Sequence, residues 1–423
     1  MKLSKLIDFL ALASGSILGQ ALTILFAPIL SRIYTAEEMG FYTLVLTATG
    51  MFESAVCLRY DLIIVSEKDE KKIIPLIRLC TQIALITSII VTIIYSAYIA
   101  ISHQCERNQM WLFLLNFPIM FCYALSLIAN ARNNRRQEYK LLSVASVVQG
   151  GVHNGLSAVL GLCGFGAVGL IIGRTFGYFA NYLVSVKLKI ISIFGGKADK
   201  YSKDQYISIL EDNKKQVFYS TPAVILSCVA YSIINIFISR LYGDAVLGLY
   251  SYSYRLLGIP LAVISTNISR MFFKDAAIEY NRCGSMRRSF YKLLFPIIGV
   301  SVVMFLGFRF FAPDAFAIFL GEKWREAGVY VQILAPMFSI RLVSNCFTNV
   351  TIVTGKQLIA FIIQITYLIA TIGLYVYARI TDIDIYSFLN IMNVLFCVIY
   401  SLYFFVLAQM CTKRMENKYE IFK

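Results

Sequence analysis

Apolar stretches of membrane-spanning length recur along this sequence, and they limit what it can fold into. One of them reads IALITSIIVTIIYSAYIAI and runs from Ile83 to Ile101. A helix needs about 20 apolar residues to cross the hydrocarbon core of a bilayer. The stretch does not alternate apolar and polar residues, as a strand of a membrane β-barrel would. We therefore predict about twelve membrane-spanning helices, at residues 7–31, 40–63, 74–101, 109–130, 141–164, 166–186, 217–239, 244–269, 289–312, 327–352, 357–378 and 384–410.

The composition excludes a water-soluble globular protein. Hydrophobic residues make up 58% of the 423 residues, charged residues make up 15%, and the mean hydropathy is +0.70. Soluble domains contain about 25% charged residues. The prediction is therefore an all-α polytopic membrane protein.

A twelve-residue motif occurs twice in the chain. SRIYTAEEMGFY runs from Ser31 to Tyr42 and SRLYGDAVLGLY from Ser239 to Tyr250, with Ser, Arg, Tyr, Gly and Tyr at matching positions. Each copy lies where one predicted span ends and the next begins, so each is predicted to be the tip of a helical hairpin. Polar and aromatic residues at such tips suit the membrane interface, where a ring can be half solvated. We expect Arg32, Tyr34, Arg240 and Tyr242 at that interface, a capping box of Thr35 with Glu38, and Asp244 as an N-cap.

The spacing of the two copies predicts two lobes. Six predicted spans separate them, an even number, so both halves enter the membrane in the same orientation, as parallel repeats do. We predict two parallel six-helix bundles around a central cavity. Their bounds are 1–190 for the N-terminal lobe, 191–215 for a cytoplasmic linker, and 216–423 for the C-terminal lobe.

The distribution of Lys and Arg predicts the orientation. About 27 of them fall in segments assigned to the cytoplasm and about 6 outside, in agreement with the positive-inside rule. Both termini are therefore expected in the cytoplasm. Attraction to anionic membrane lipids accounts for the net charge of +15, so no nucleic-acid partner is expected.

Charged side chains inside the spans are the candidate functional residues. An arginine at the centre of a spanning helix costs about 2.5 to 3.5 kcal/mol, so such residues usually face protein or water. The arginines outnumber the acids, which favours a cationic cavity for an anionic, phosphate-bearing substrate. Structural pairing of each arginine is the alternative. The candidates are Arg59, Arg174, Arg255 and Arg341 for substrate binding, and Glu53 and Asp61 for coupling to a proton or sodium ion.

Other polar residues carry less information. Arg270 is expected to reach the membrane surface from a span end, as Arg78 and Arg309 are. The sequence DID at residues 382–384 resembles a metal and sugar-nucleotide motif, although a solvated turn is the simpler interpretation. The ten cysteines have no C-x-x-C spacing, and two histidines are too few for a histidine metal site. We expect no metal, no cofactor and no catalytic residue.

Several longer blocks resemble a known family. The resemblance is to the bacterial polysaccharide-unit flippases of the Wzx type, in the polysaccharide transporter branch of the multidrug/oligosaccharidyl-lipid/polysaccharide exporter superfamily. The blocks are FAPILSRIYTAEEMGFYTL, LRYDLIIVSEKDEKK, NARNNRRQEYKLLSVASVVQGG, ISRMFFKDAAIEY and LGEKWREAGVYVQILAPMFSIRLVSN. The resemblance implies two six-helix bundles that rock about a central cavity. It also implies movement of undecaprenyl-pyrophosphate-linked oligosaccharide to the outer leaflet of the bacterial inner membrane, for O-antigen or another surface polysaccharide, alongside a polysaccharide polymerase.

Two other classes stay open on the sequence alone. A cation-coupled multidrug exporter of the same superfamily would share the fold, but it should have an acidic site deep in the membrane. A membrane polysaccharide polymerase or glycosyltransferase would need a sizeable outer loop for its chemistry, and the predicted outer loops are short. A transporter that is not an enzyme is the preferred interpretation.

Overall fold

The computed structural model describes residues 3–67, 69–102, 107–187 and 203–412, and within them it is helical and contains no strand. The predicted all-α polytopic fold is confirmed. The chain forms two compact units, and the boundary between them follows Gly248. The first unit holds α1 (Leu3–Ile33), α2 (Ala36–Phe52), α3 (Tyr60–Ser66), α4 (Glu70–Ser102), α5 (Asn116–Arg135), α6 (Tyr139–Leu162), α7 (Ala167–Ser185), α8 (Lys203–Tyr242) and the start of α9 (Asp244–Cys283). The second unit holds the rest of α9 together with α10 (Arg287–Leu320), α11 (Arg325–Cys346), α12 (Val350–Val353), α13 (Gln357–Thr381) and α14 (Ile385–Thr412).

Ten helical segments in the described residues are long and apolar enough to cross a membrane. The other two predicted spans correspond to α1, whose apolar part is the shorter segment Leu18–Ile33, and to α6. Helix α6 packs against both α1 and α7 and carries His153 and Asn154, both buried. A helix shielded by its neighbours can carry polar residues inside a membrane, because those residues face protein rather than lipid.

Helix α8 packs within the first unit. The Asn235 side chain donates a hydrogen bond to the Thr47 hydroxyl over 3.3 Å, and the Thr221 hydroxyl donates one to the Leu58 carbonyl oxygen over 3.1 Å. These bonds hold α8 to α2 and to the helix break, so α8 belongs to the first unit. Residues 191–202 of the expected linker lie outside the described residues, and the two six-helix lobes stay a prediction.

The second membrane-spanning segment is a broken helix. Helix α2 ends at Phe52, a 3₁₀ turn follows at Glu53–Ala55, and α3 begins at Tyr60. Leu58 and Arg59 have φ angles of 48° and 66°, in the left-handed region that non-glycine residues rarely adopt. Backbone groups freed by a break at membrane depth need other partners. The bond from Thr221 to the Leu58 carbonyl supplies one.

The two copies of the repeated motif differ at their hairpin tips. The predicted capping box is confirmed, because the Glu38 amide donates to the Thr35 hydroxyl over 3.2 Å and the Thr35 amide donates to the Glu38 carboxylate over 2.8 Å. In the second copy Gly243 precedes α9 and has a φ of 86°. Asp244 is the first residue of α9 and not the N-cap that the sequence predicted. The Asp244 carboxylate is still stabilised there by the positive end of the helix dipole.

The two glycines of the repeat meet each other. A Cβ atom added to Gly40 would overlap the Asp244 carbonyl oxygen, and one added to Gly248 would overlap the Ala36 carbonyl oxygen. The same added atoms would lie 2.9 Å from the Gly248 nitrogen and 3.0 Å from the Gly40 nitrogen, respectively. The starts of α2 and α9 therefore cross in backbone contact, which only residues without a side chain permit.

Candidate functional site

Arg174 lies at the centre of a polar cluster in the first unit. Its guanidinium carbon is 4.7 Å from the centre of the Tyr178 ring, one turn further along α7. Glu53, on the turn after α2, is close enough to attract Arg174 electrostatically, although within the described residues the two make no direct ion pair. The Arg174 Nε is buried and has no hydrogen-bond partner there. This cluster therefore contains a positive group whose hydrogen bonds are not all made.

Close packing of α7 on α6 places this arginine. Gly173 and Gly177 face α6, where an added Cβ would lie 2.8 Å from the His153 carbonyl oxygen and 2.8 Å from the His153 Cβ, respectively. The buried His153 ring lies 3.5 Å from the Tyr42 hydroxyl. Because the glycines fix the distance between α6 and α7, they also fix the depth and direction of Arg174 on α7.

Arg59 and Asp61 lie at the break between α2 and α3. The Arg59 Nε donates to the Ser220 hydroxyl over 3.3 Å. The Asp61 side chain is buried, and its Oδ1 has no hydrogen-bond partner among the described residues. Arg59 and Asp61 form no ion pair in this part of the chain, in agreement with the different directions expected for residues two positions apart.

Arg341 is surrounded by aromatic rings in the second unit. It donates a hydrogen bond to the Tyr254 hydroxyl, and its guanidinium carbon lies 5.8 Å from the ring centres of Tyr254 and Phe338 and 5.7 Å from that of Tyr400. Aromatic faces stabilise a cation that has lost water. The half-buried Arg255 follows Tyr254, and no hydrogen bond of its guanidinium is recorded within the described residues.

The structure thus brings the predicted residues together in small groups. Glu53, Arg59 and Asp61 share one helix break, and Glu53 also interacts with Arg174. In the other unit Arg341 bonds Tyr254, and Arg255 follows Tyr254 along α9. Their assignment to substrate or ion binding stays a prediction.

A polar pocket lies in the second unit. It has a volume of about 450 Å³, and within it Asn349 donates a hydrogen bond to the Ser269 hydroxyl over 2.9 Å. Arg270, expected to reach the membrane surface from a span end, lines this pocket and is exposed. Helix α9 continues to Cys283, so the expected end at residue 269 is wrong. The lining residues are Ser265, Thr266, Ser269, Arg270, Asn345, Thr348 and Asn349.

A sequence signal for this pocket exists. On α9 polar residues recur four positions apart within an apolar span, at Ser265 and Ser269 and at Thr266 and Arg270. Residues four apart lie on the same face of a helix. This spacing predicts one polar face on α9.

The DID sequence forms a helix start. The Tyr386 and Ser387 amides donate to the Asp384 carboxylate over 3.0 and 3.4 Å, respectively. Hydrogen bonds from the Ser387 side chain and from these amides lower the pKa of Asp384 below its usual value, because they favour the charged form. In the described residues, no group of three or more His, Cys, Asp and Glu could hold a metal ion. The capping role is sufficient to explain Asp384.

Solved structures share this fold. The chain is similar to the lipid II flippase MurJ in an inward closed conformation, with a TM-score of 0.74 and 11% identity, over 95% of this chain and 87% of that one. It is also similar to an inward-facing multidrug resistance MATE family transporter of the MOP superfamily, with a TM-score of 0.63 and 13% identity, over 93% of this chain and 97% of that one. At these identities the similarity shows a shared fold.

The sequence identifies the family of this chain. Residues 29–329 match the model of the polysaccharide biosynthesis protein family, and the chain belongs to that family. It is 27% identical over 206 residues to a membrane protein of the cps region of Klebsiella pneumoniae, covering 48% of this chain and 42% of that relative. It is 22% identical over 185 residues to the lipopolysaccharide biosynthesis protein WzxC of Escherichia coli, covering 44% and 37%, respectively. The matches span less than half the length of these curated relatives.

Proposed function

We propose that this protein is a flippase for undecaprenyl-pyrophosphate-linked oligosaccharide units. It moves them by alternating access from the inner to the outer leaflet of the bacterial cytoplasmic membrane, for O-antigen or another surface polysaccharide. Family membership supports the pathway, and the fold shared with the lipid II flippase supports the activity. A relative in Bacillus subtilis is named teichuronic acid biosynthesis protein TuaB, and it is 27% identical over 126 residues, which cover 30% of this chain and 26% of that one.

The polar pocket of the second unit is the observation that carries this proposal. Six of its seven lining residues are neutral side chains with hydroxyl or amide groups, and the seventh is Arg270. Sugar hydroxyl groups need such partners, because an unsatisfied polar group inside a membrane costs several kcal/mol. An arginine beside them can hold a phosphate through paired hydrogen bonds. A sugar phosphate fits this lining better than an apolar drug does.

The deep arginines complete the proposal. Arg174 and Arg341 would replace water around the pyrophosphate while it crosses the membrane, and Arg59 and Arg255 would receive it at other stages. Glu53 or Asp61 would couple the movement to a proton or sodium ion. Coupling to an ion and cooperation with the polymerase are both parts of the proposal.

A transport assay tests the proposed function. The purified full chain is reconstituted into vesicles with an undecaprenyl-pyrophosphate-linked oligosaccharide, and the sugar that reaches the opposite leaflet is oxidised by an impermeant reagent. We expect Asn345→Ala and Asn349→Ala to lower the rate about thirtyfold together, since each removes a hydrogen-bonding group worth about 1 kcal/mol. Asn390→Ala is the matched control, because Asn390 is exposed on α14 and bonds only its own helix at the Tyr386 carbonyl oxygen.

Two outcomes would contradict the proposal. Wild-type vesicles that do not move the lipid-linked sugar, but export a cationic dye in exchange for protons, would support the multidrug exporter. Equal rates for the pocket variants and the wild type would remove the pocket from the substrate path.

A further inference from the structure

An apolar groove runs along three helices of the first unit. Its volume is about 540 Å³, and α2, α4 and α8 each contribute side chains to it. The lining is aliphatic and aromatic, with one threonine and two tyrosines as its polar members. One of these, Tyr95, donates its hydroxyl hydrogen to the Leu44 carbonyl oxygen over 2.7 Å, so the polar atom is already satisfied. The groove therefore suits an apolar chain.

The lining residues follow the direction of the helices. On α8 they include Ile225, Val229, Ile233 and Ile236, which recur every three or four residues and form a single row along the helix. The eleven steps from Ile225 to Ile236 cover about 16 Å, at about 1.5 Å per residue. That length is about half of the roughly 30 Å hydrocarbon core.

The groove borders the lipid on the side of α4. Ile90 and Ile94 line it, and they are 49% and 63% exposed, respectively. Exposed isoleucines on a membrane-spanning helix contact lipid chains. A chain lying in the bilayer can therefore enter from the side, without its apolar part crossing any polar region.

One end of the groove carries a positive charge. Leu58 lines that end, and Arg59 follows it at the helix break. The Arg59 side chain reaches Ser220, which lies five residues before Ile225 on α8. Within the described residues Arg59 has no further hydrogen bond and no ion pair, so the rest of its guanidinium is available to an anion. By the predicted orientation this is the cytoplasmic end.

We propose that the groove binds the polyprenyl chain of the lipid-linked substrate, while Arg59 binds its diphosphate. This inference rests on the proposed flippase function. A polyprenyl diphosphate has an apolar chain that suits the groove and an anionic head that suits Arg59 at the end of the groove. The orientation also agrees, because a lipid of the inner leaflet has its head on the cytoplasmic side and its chain toward the middle of the membrane.

The test uses a polyprenyl diphosphate with a photoreactive group at the far end of its chain. The purified full chain is labelled in vesicles of phosphatidylethanolamine and phosphatidylglycerol, and the labelled peptides are identified. In the wild type we expect label on α2, α4 or α8. Val229→Trp should lower it about tenfold by filling the groove. Ile89→Trp is the matched control, because Ile89 is exposed on α4 outside the groove and the same bulky ring should leave labelling unchanged.

A second experiment tests the charge of Arg59. Arg59→Gln should lower labelling by the diphosphate about tenfold, since it removes a charged hydrogen-bonding group. Labelling by the polyprenol, which has the same chain and no phosphate, should be unchanged. This comparison within one variant also controls for folding, because a misfolded protein would lose both signals.

Three results would overturn the inference. They are label confined to other helices in the wild type, equal labelling of the groove by a photoreactive phosphatidylglycerol at the same concentration, and unchanged labelling of Val229→Trp. The transport assay separates this inference from the proposed function. Active transport with label elsewhere refutes the groove alone, whereas label in the groove without transport refutes the flippase activity.

Discussion

The two copies of the repeated motif carry the same glycine and different chemistry. Gly40 and Gly248 occupy equivalent positions, and each contacts the backbone at the start of the other helix. Around them the copies diverge. Tyr34 of the first copy is 1% exposed and donates to the Ser157 carbonyl oxygen over 2.7 Å, whereas Tyr242 of the second is half-buried. Tyr34 is therefore a core residue and not the interface residue that the sequence predicted.

The comparison separates two kinds of constraint. Backbone contact between the two helices requires a glycine in both copies, because the Cβ of either one would meet the other helix. The charged residues have no charged counterpart at the equivalent position of the other half. The position 208 residues after Glu53 is Leu261, and the position 208 residues before Arg255 is Thr47. The residues that both copies share thus hold the helices together, and the residues that differ are the candidate site residues.

The largest expected effect comes from breaking the shared glycine contact. Gly40→Leu and Gly248→Leu should each abolish transport, because the side chain forces two backbones apart and overpacking alone costs about 1 to 3 kcal/mol. Gly155→Leu is the control, since nothing lies within 4 Å of an added Cβ there. The amount of folded protein in the membrane and the transport rate are measured together. A large effect at one glycine only would contradict their equivalence.

The next effect concerns a residue that only one copy has. Glu53→Gln keeps the size of the side chain and removes its charge, so the protein should fold while coupled transport falls about tenfold. The corresponding change of Leu261→Met in the other copy should have no effect. Substrate-dependent proton or sodium flux in vesicles is the measurement. Unchanged flux with Glu53→Gln would leave this residue with a structural role.

Arginines in the second unit should show a graded effect. Arg341→Ala and Arg255→Ala should each lower transport about fivefold, which corresponds to about 1 kcal/mol, and the Lys variants should fall between Ala and the wild type. Lysine keeps the charge but loses the planar fork. The measurement is the amount of surface polysaccharide that each variant restores in a flippase-null strain, divided by the amount of that variant in the membrane. Full normalised activity of both Ala variants would show that these arginines do not hold the anion.

The smallest effect tests the divergence of the two tyrosines. Tyr34→Phe should lower the free energy of unfolding by about 1 kcal/mol, because the buried hydroxyl loses its bond to the Ser157 carbonyl. Tyr242→Phe should change it by less than about 0.5 kcal/mol, as expected for a less buried position. Thermal unfolding in detergent measures both. Equal losses would mean that the two copies are alike at this position as well.

Much of the fold was predictable because its signals are local. Apolar length predicted the spanning helices, and the Thr35 and Glu38 pair predicted a helix start that the structure confirms. The break after Phe52 was not predictable, since residues 53–60 contain neither proline nor glycine. Contacts distant in sequence, such as the one from Thr221 to the Leu58 carbonyl, help to hold it.

The candidate site was predictable only in part. The buried charges were visible as exceptions in apolar spans. The pocket around Arg270 could not be assembled from the sequence, because it joins residues that are distant along the chain. Asn349, in the turn before α12, donates to the Ser269 hydroxyl on α9. Hydropathy identifies each span but not which polar faces meet.

The glycine crossing is also symmetric. Gly40 contacts Asp244 as Gly248 contacts Ala36, and each pair is related to the other by the same shift along the chain. This reciprocal pattern is the one that a two-fold axis imposes on the interface of a symmetric homodimer. The contact therefore has the form of an interface between two identical chains, although here one chain supplies both sides.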